Sequence, residues 1–136
     1  MPPRDTRPLP RRVGAVVPDL YFATRIAATA RAAGVELELL PAPRAAEWVR
    51  QAPPAVMLID LNAPGAVELV AALKTVAPTL PVVGFYSHVE TTLKTGALAA
   101  GADAVLPRSQ FVARLAVLLT RGVEAVRTPA PGDFTS

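Results

Sequence analysis

The sequence predicts one α/β domain: an open, doubly wound sheet of five parallel strands with helices on both faces. Three observations carry this. Short apolar, β-rich runs alternate five times with helical patterns, and connections about one helix long oblige successive strands to run parallel. Two of the runs, AVMLID (55–60) and PVVGFY (81–86), are almost continuously apolar, as strands covered on both faces must be. Finally, 51% of the 136 residues are hydrophobic and 18% charged, which suffices for one core in a chain of about one domain's length.

The elements follow in order. The first strand, 13–17, leads to a helix over 20–33 that starts after Asp19, a good N-cap. It places Phe22, Ile26, Thr29 and Ala33 on one face and stops at Gly34. The run VELELL (35–40) alternates and suits an edge strand. A helix over 44–51 carries Trp48 and Val49, and the third strand, 55–60, is followed by a helix over 67–76 with Leu69, Val70 and Leu73. The fourth strand, 81–86, precedes a helix over 90–100 that ends at Gly101. The fifth strand is 104–106. The last helix begins after Ser109 or Gln110 and presents Phe111, Leu115, Leu118, Leu119 and, further round, Val126. Residues 13–127 form the domain. Four prolines among residues 1–12 and two in the tail mark 1–12 as a basic disordered arm and 128–136 as a disordered tail.

Composition excludes several functions. With no cysteine there is no disulfide scaffold, thiolate metal site or cysteine nucleophile. The head has no apolar stretch resembling a signal peptide, and no apolar run approaches the roughly 18 residues of a membrane span. A cytoplasmic location and no membrane partner are the expectation. The net charge of +3 and pI near 10.0 suggest nucleic acid. However, Arg4, Arg7, Arg11 and Arg12 against Asp5 account for the whole excess, so the domain is neutral and nucleic acid is not the expected partner. One histidine, His88, reads as a solvated loop residue and cannot supply a triad. No base, nucleophile and orienting group assemble, so no enzyme is predicted.

In open parallel sheets, sites form beyond the carboxyl ends of the strands. Those ends read Val17-Pro18-Asp19, Asp60-Leu61-Asn62, Tyr86-Ser87-His88 and Pro107-Arg108-Ser109. Two carboxylates, one or two hydroxyls and a cation therefore converge on one crevice. Neither GxGxxG nor GxxxxGK[ST] occurs, so backbone phosphate cradles are missing.

With LIDLNAPG closing the third strand and GALAAGADAVLPR approaching the fifth, the sequence over residues 13 to about 122 resembles the receiver domain of bacterial two-component response regulators. The first motif is similar to the family's D-x-x-x-P-G around its phosphoacceptor, and the second to its approach to a lysine. The resemblance implies a flavodoxin-like fold with strand order 2-1-3-4-5. It makes Asp60 the phosphoacceptor candidate, and Asp19, Asp60 and the carbonyl of Asn62 the weak Mg²⁺ candidates, Mg²⁺ being the one possible cofactor. Tyr86, Ser87 and Arg108 are the switch and phosphate-contact candidates. It also implies a protein partner, either a histidine kinase or a downstream signalling protein. A homodimer through helix four, strand five and helix five is expected, with Phe111, Leu115, Leu118 and Leu119 as interface residues.

The sequence departs from the family pattern around that one site. Pro18 stands in place of the first acid, Arg108 in place of the lysine, and counting places Tyr86 at the switch hydroxyl, with Ser87 serving if the loop shifts by one. The loop after Asp60 is about two residues shorter. The expected function is thus a stand-alone, pseudo-receiver-like module held in one state by Arg108 paired with Asp60 or Asp19, and acting through protein contacts. The alternatives are a working phosphoacceptor on Asp60 and a flavodoxin-like small-ligand binder.

Overall fold

The computed structural model describes residues 11–87 and 91–126. The proposed arm up to residue 10, the tail from residue 127, and His88 lie outside the described residues. The strands are β1 (Arg12–Val16), β2 (Glu36–Leu39), β3 (Val56–Asp60), β4 (Val82–Tyr86) and β5 (Ala104–Pro107). The helices are α1 (Leu20–Ala32), α2 (Ala42–Gln51), α3 (Ala66–Val76), α4 (Thr91–Ala99) and α5 (Arg108–Arg121), followed by a 3₁₀ turn over Val123–Ala125. Every strand pair is parallel, and the sheet order is β2-β1-β3-β4-β5. This is the flavodoxin-like order expected, with the alternating strand β2 at an edge.

Because strand side chains alternate between faces, each strand feeds two cores. On one face Phe22 and Ile26 of α1 and Phe111, Leu115, Leu118 and Leu119 of α5 cover Leu58, Phe85 and Leu106. On the other, Val49, Val70, Leu73 and Ala97 of α2, α3 and α4 cover Met57, Ile59 and Val105. Trp48, half-buried, is admitted because β1 carries Gly14 there: a Cβ would come within 2.6 Å of the indole and 2.4 Å of Met57 Sδ.

Several boundaries differ from expectation. Arg12 opens β1 and stacks on Trp48, 3.8 Å from the ring centroid, although the sequence reads as arm there. The helix α2 starts two residues earlier, at Ala42, because proline is tolerated in a helix's first turn and Pro43 lies in it. On α1 the fully buried residues are Phe22, Ala23, Ile26 and Ala30, and Thr29 instead donates its hydroxyl to the Arg25 carbonyl. The helix α5 begins directly at Arg108, with Pro107 as N-cap offering no side-chain acceptor, so Ser109 lies inside the helix. It ends at Gly122, whose φ of 88° breaks the helix before Val126.

Phe111, Leu115, Leu118 and Leu119, expected at an interface, are 0–2% exposed. They are core residues: the sheet and α1 between them cover the whole apolar face of α5, leaving Val112 half-buried and Val117 exposed.

Candidate functional site

The parallel strands end on one rim, which brings the predicted polar residues together. Asp19 follows β1 and caps α1, its Oδ1 accepting the Phe22 amide at 3.2 Å. Its Oδ2 accepts from Arg108 Nη2 at 3.3 Å. Arg108 in turn lies over the Phe22 ring, its Cζ 3.7 Å from the centroid. One side chain of α1 thus supports the guanidinium and its cap residue neutralises it. The Asp19 carboxyl is held below its ordinary value, first by the Phe22 amide, with burial opposing the fall and Arg108 adding to it.

Asp60, the last residue of β3, is half-buried and makes an Asx turn: its Oδ1 accepts the Asn62 amide at 3.0 Å. Burial pushes its carboxyl above the ordinary value, and the neighbouring Asp19 charge adds to the rise. The Asn62 amide and the field of Arg108 act the other way. Of the two expected partners of Arg108, the structure places Asp19 in contact, and Asp60 feels the guanidinium through space.

Asn62 does more than its sequence assignment implies. Its Oδ1 accepts both the amide and the hydroxyl of Ser87, at 2.6 and 3.1 Å, tying the loop after β3 to the end of β4. Ser87 is exposed and its hydroxyl faces the crevice loop. Tyr86, paired with Pro107 across the sheet, is half-buried against the α3–α4 side. Two contributions were not predicted from sequence: Phe22 as the platform under Arg108, and the Asn62 side chain as the Ser87 acceptor. The first carries the signal of an aromatic three residues after the acid; the second spans 25 residues and has no local signal.

Mg²⁺ takes near-octahedral oxygen ligands with one or two carboxylates. Asp19 already has one oxygen on an amide and the other on a guanidinium, and Pro18 adds no oxygen from its side chain. That leaves Asp60 and main-chain carbonyls. Among the described residues no group of three or more His, Asp or Glu side chains gathers at any point. As arranged, these residues fit the ion poorly.

No family model matches the sequence, and no curated protein does. Solved structures do match. A CheY-like response regulator receiver domain protein from Methanospirillum hungatei JF-1 superposes with a TM-score of 0.76 at 17% identity, covering 86% of this chain and 96% of that one. The signal receiver domain of the putative response regulator NarL from Mycobacterium tuberculosis gives 0.73 at 20%, covering 86% and 98%. The beryllofluoride-activated NtrC4 receiver domain dimer gives 0.71 at 18%, covering 84% and 97%. At such identities the likeness establishes the fold, that of CheY-like receiver domains. No helix among the described residues is long and apolar enough to cross a membrane.

Proposed function

We propose that this chain is a receiver-like signal-transduction module that acts by presenting its surface to a protein partner, with a state that does not depend on phosphorylation of Asp60. The observation that carries this reading is the Arg108–Asp19 pair seated on Phe22. In a phosphoryl-transfer site, cations must be free to neutralise the transferred group's oxygens. Here the cation at the crevice is neutralised by the chain's own carboxylate, so the charge arrangement of an occupied site is in part supplied internally. Arginine suits this arrangement, since its planar guanidinium can lie over the Phe22 ring while one nitrogen donates to Asp19. Pro18 supports the same reading by contributing no side-chain oxygen. The module is proposed as non-catalytic and cytoplasmic. A homodimer through α4, β5 and α5 belongs to this reading. The solved NtrC4 receiver dimer supports it. Such a dimer would use exposed residues of those elements, because Phe111, Leu115, Leu118 and Leu119 are buried.

A second reading, a working phosphoacceptor fed by a histidine kinase, has one observation in its favour. Asp60 stands at the rim with one oxygen oriented by the Asn62 amide, and among the described residues its Oδ2 has no hydrogen-bond donor. The flavodoxin-like ligand-binder reading lacks comparable support: the apolar depression of about 430 Å³ between Pro18, Leu20, Leu39, Pro41 and Pro64 is open to solvent and not an enclosed pocket.

One titration separates the first two. Mg²⁺ and beryllofluoride are added to the parent and to Pro18→Asp, followed by amide NMR. The proposed function predicts no response of the parent at millimolar Mg²⁺ and a response of the variant. A response of the parent that vanishes in Asp60→Ala establishes the second reading instead.

A further inference from the structure

Charge is divided unequally between the two helical layers. The helices α1 and α5 pack side by side over one face of the sheet, and neither LYFATRIAATARA nor RSQFVARLAVLLTR contains a carboxylate. Between them they carry five arginines. Arg108 is committed to Asp19. Arg25, Arg31, Arg114 and Arg121 are exposed and, among the described residues, none has a carboxylate partner. The opposite layer is mixed: Arg50 pairs with Glu47 and Lys74 with Asp103, and both lysines of the chain lie there, on α3 and α4.

Apolar side chains stand within the cationic surface. Tyr21 is 85% exposed and Val117 44%. On α1, Tyr21, Thr24, Arg25 and Ala28 recur at helical spacing and line an open depression of about 460 Å³, where the small Thr24 and Ala28 let another backbone approach. On α5, Val117 lies between Arg114 and Arg121 at spacings of three and four, on one stripe. Exposed aromatic residues with arginine, and without lysine, are the composition that protein interfaces favour. A nucleic acid would satisfy the arginines but offers its phosphates nothing to place on Val117, which is flanked by charges rather than by stacking partners.

We propose that the outer surface of the α1–α5 layer docks an acidic, apolar-faced helical segment of a partner protein. Its carboxylates pair with Arg25, Arg31, Arg114 and Arg121, and its apolar ridge covers Tyr21 and Val117. This deepens the partner-binding reading above and rests on it. The two fail separately, since that reading is decided by the Mg²⁺ response and this one by binding.

The probe is a labelled amphipathic 20-residue peptide with leucine along one face and glutamate elsewhere, titrated into the full chain by fluorescence anisotropy and amide NMR. Its lysine-for-glutamate counterpart and a 20-base-pair DNA duplex are titrated in parallel. The expected result is binding of the acidic peptide alone, with shifts on α1 and α5. Charge reversal should weaken it about tenfold or more in either Arg25→Glu/Arg114→Glu or Arg31→Glu/Arg121→Glu. Val117→Ser and Tyr21→Ser, which leave all charges in place, should weaken it as well. Any of four results overturns the proposal: equal binding of the lysine peptide, tighter binding of the duplex, binding insensitive to both charge-reversed variants, or binding that follows Arg4 and Arg7 of the head instead. Because all six positions are exposed, unchanged thermal melting of the variants is required of each comparison.

Discussion

Replacing Phe111 by alanine distinguishes a core residue from an interface residue at the start of the one helix that carries Arg108. The ring is 0% exposed, stacks on Phe85 with centroids 4.4 Å apart at 23°, and lies 6.1 Å from Phe22. Phe22 meets Phe85 edge-on at 5.2 Å, so three rings close one cluster between α1, β4 and α5. Removing a fully buried phenylalanine costs about 3–5 kcal/mol, of which the aromatic pairing supplies roughly 0.5–1.5. Against a stability of about 5–15 kcal/mol for such a domain the variant stays folded but loses a large fraction. At about 4 °C per kcal/mol for this size, Tm falls by roughly 12–20 °C. The assay is urea unfolding followed by far-UV circular dichroism and by fluorescence of Trp48, the one tryptophan, which reports from the opposite layer. Both signals should move together, and the loss should be the same at 2 and 200 μM protein. A loss below about 1 kcal/mol, or one that grows as concentration rises because association stabilises the parent and not the variant, would refute the placement of Phe111 in its own core.

Further outcomes are expected at the rim and in the strand β4 beside it. The Asp60 carboxyl, followed by carbon-detected NMR, titrates above its ordinary 3.8. Arg108→Ala raises it further by removing a favourable field, whereas Asp19→Asn lowers it by removing a like charge; shifts of the opposite sign in either variant contradict the site geometry. The folded state binds the Asp60 proton more tightly than the unfolded chain. Its contribution to stability is therefore complete below 3.8 and declines as pH rises through the folded-state value. That slope is absent from Asp60→Asn. Gly84→Ala places a Cβ 2.7–3.0 Å from three carbons of the Leu61 side chain, and overpacking of this kind costs about 1–3 kcal/mol. Leu61 follows Asp60 and donates its amide to Phe85, so amide shifts should concentrate over 60–62; a variant within about 0.5 kcal/mol of the parent and without those shifts refutes the packing.

The strands are legible in the sequence because burial on both faces leaves little room for polar residues, and the crevice because parallel strands must end together. For the same reason the meeting of Asp19, Asp60 and Arg108 at one rim follows from strand ends alone. The choice between Asp19 and Asp60 as the partner of Arg108 does not. It depends on Phe22, whose ring gives the guanidinium a surface next to Asp19. The apolar residues of the last helix mislead for a physical reason. A stripe wide enough to meet both a sheet and a neighbouring helix looks from sequence like a stripe with surface to spare, and only packing shows that α1 takes up the remainder. The Asn62–Ser87 bonds join loops with no periodicity to signal them.

The start of α5 is where local rules and the observed structure disagree. A cation in the first turn opposes the helix macrodipole, and Pro107 supplies no side-chain acceptor for the free amides. Ser109 or Gln110 would have capped a helix that placed Arg108 outside it. Instead the helix begins one residue after the sheet pairing of Tyr86 with Pro107 ends, and Arg108 is fixed at the rim. The compensation comes from a different element: Asp19 at 3.3 Å and the Phe22 ring at 3.7 Å, both at the beginning of α1. Departures from local preference that are repaired by tertiary contacts concentrate at functional positions. This argues that Arg108 is held where it is for the crevice and not for the helix. It also couples the two helices of the cationic layer, because whatever draws Arg108 away from Asp19 removes at once a contact between α1 and α5 and the charge that restrains the Asp60 carboxyl.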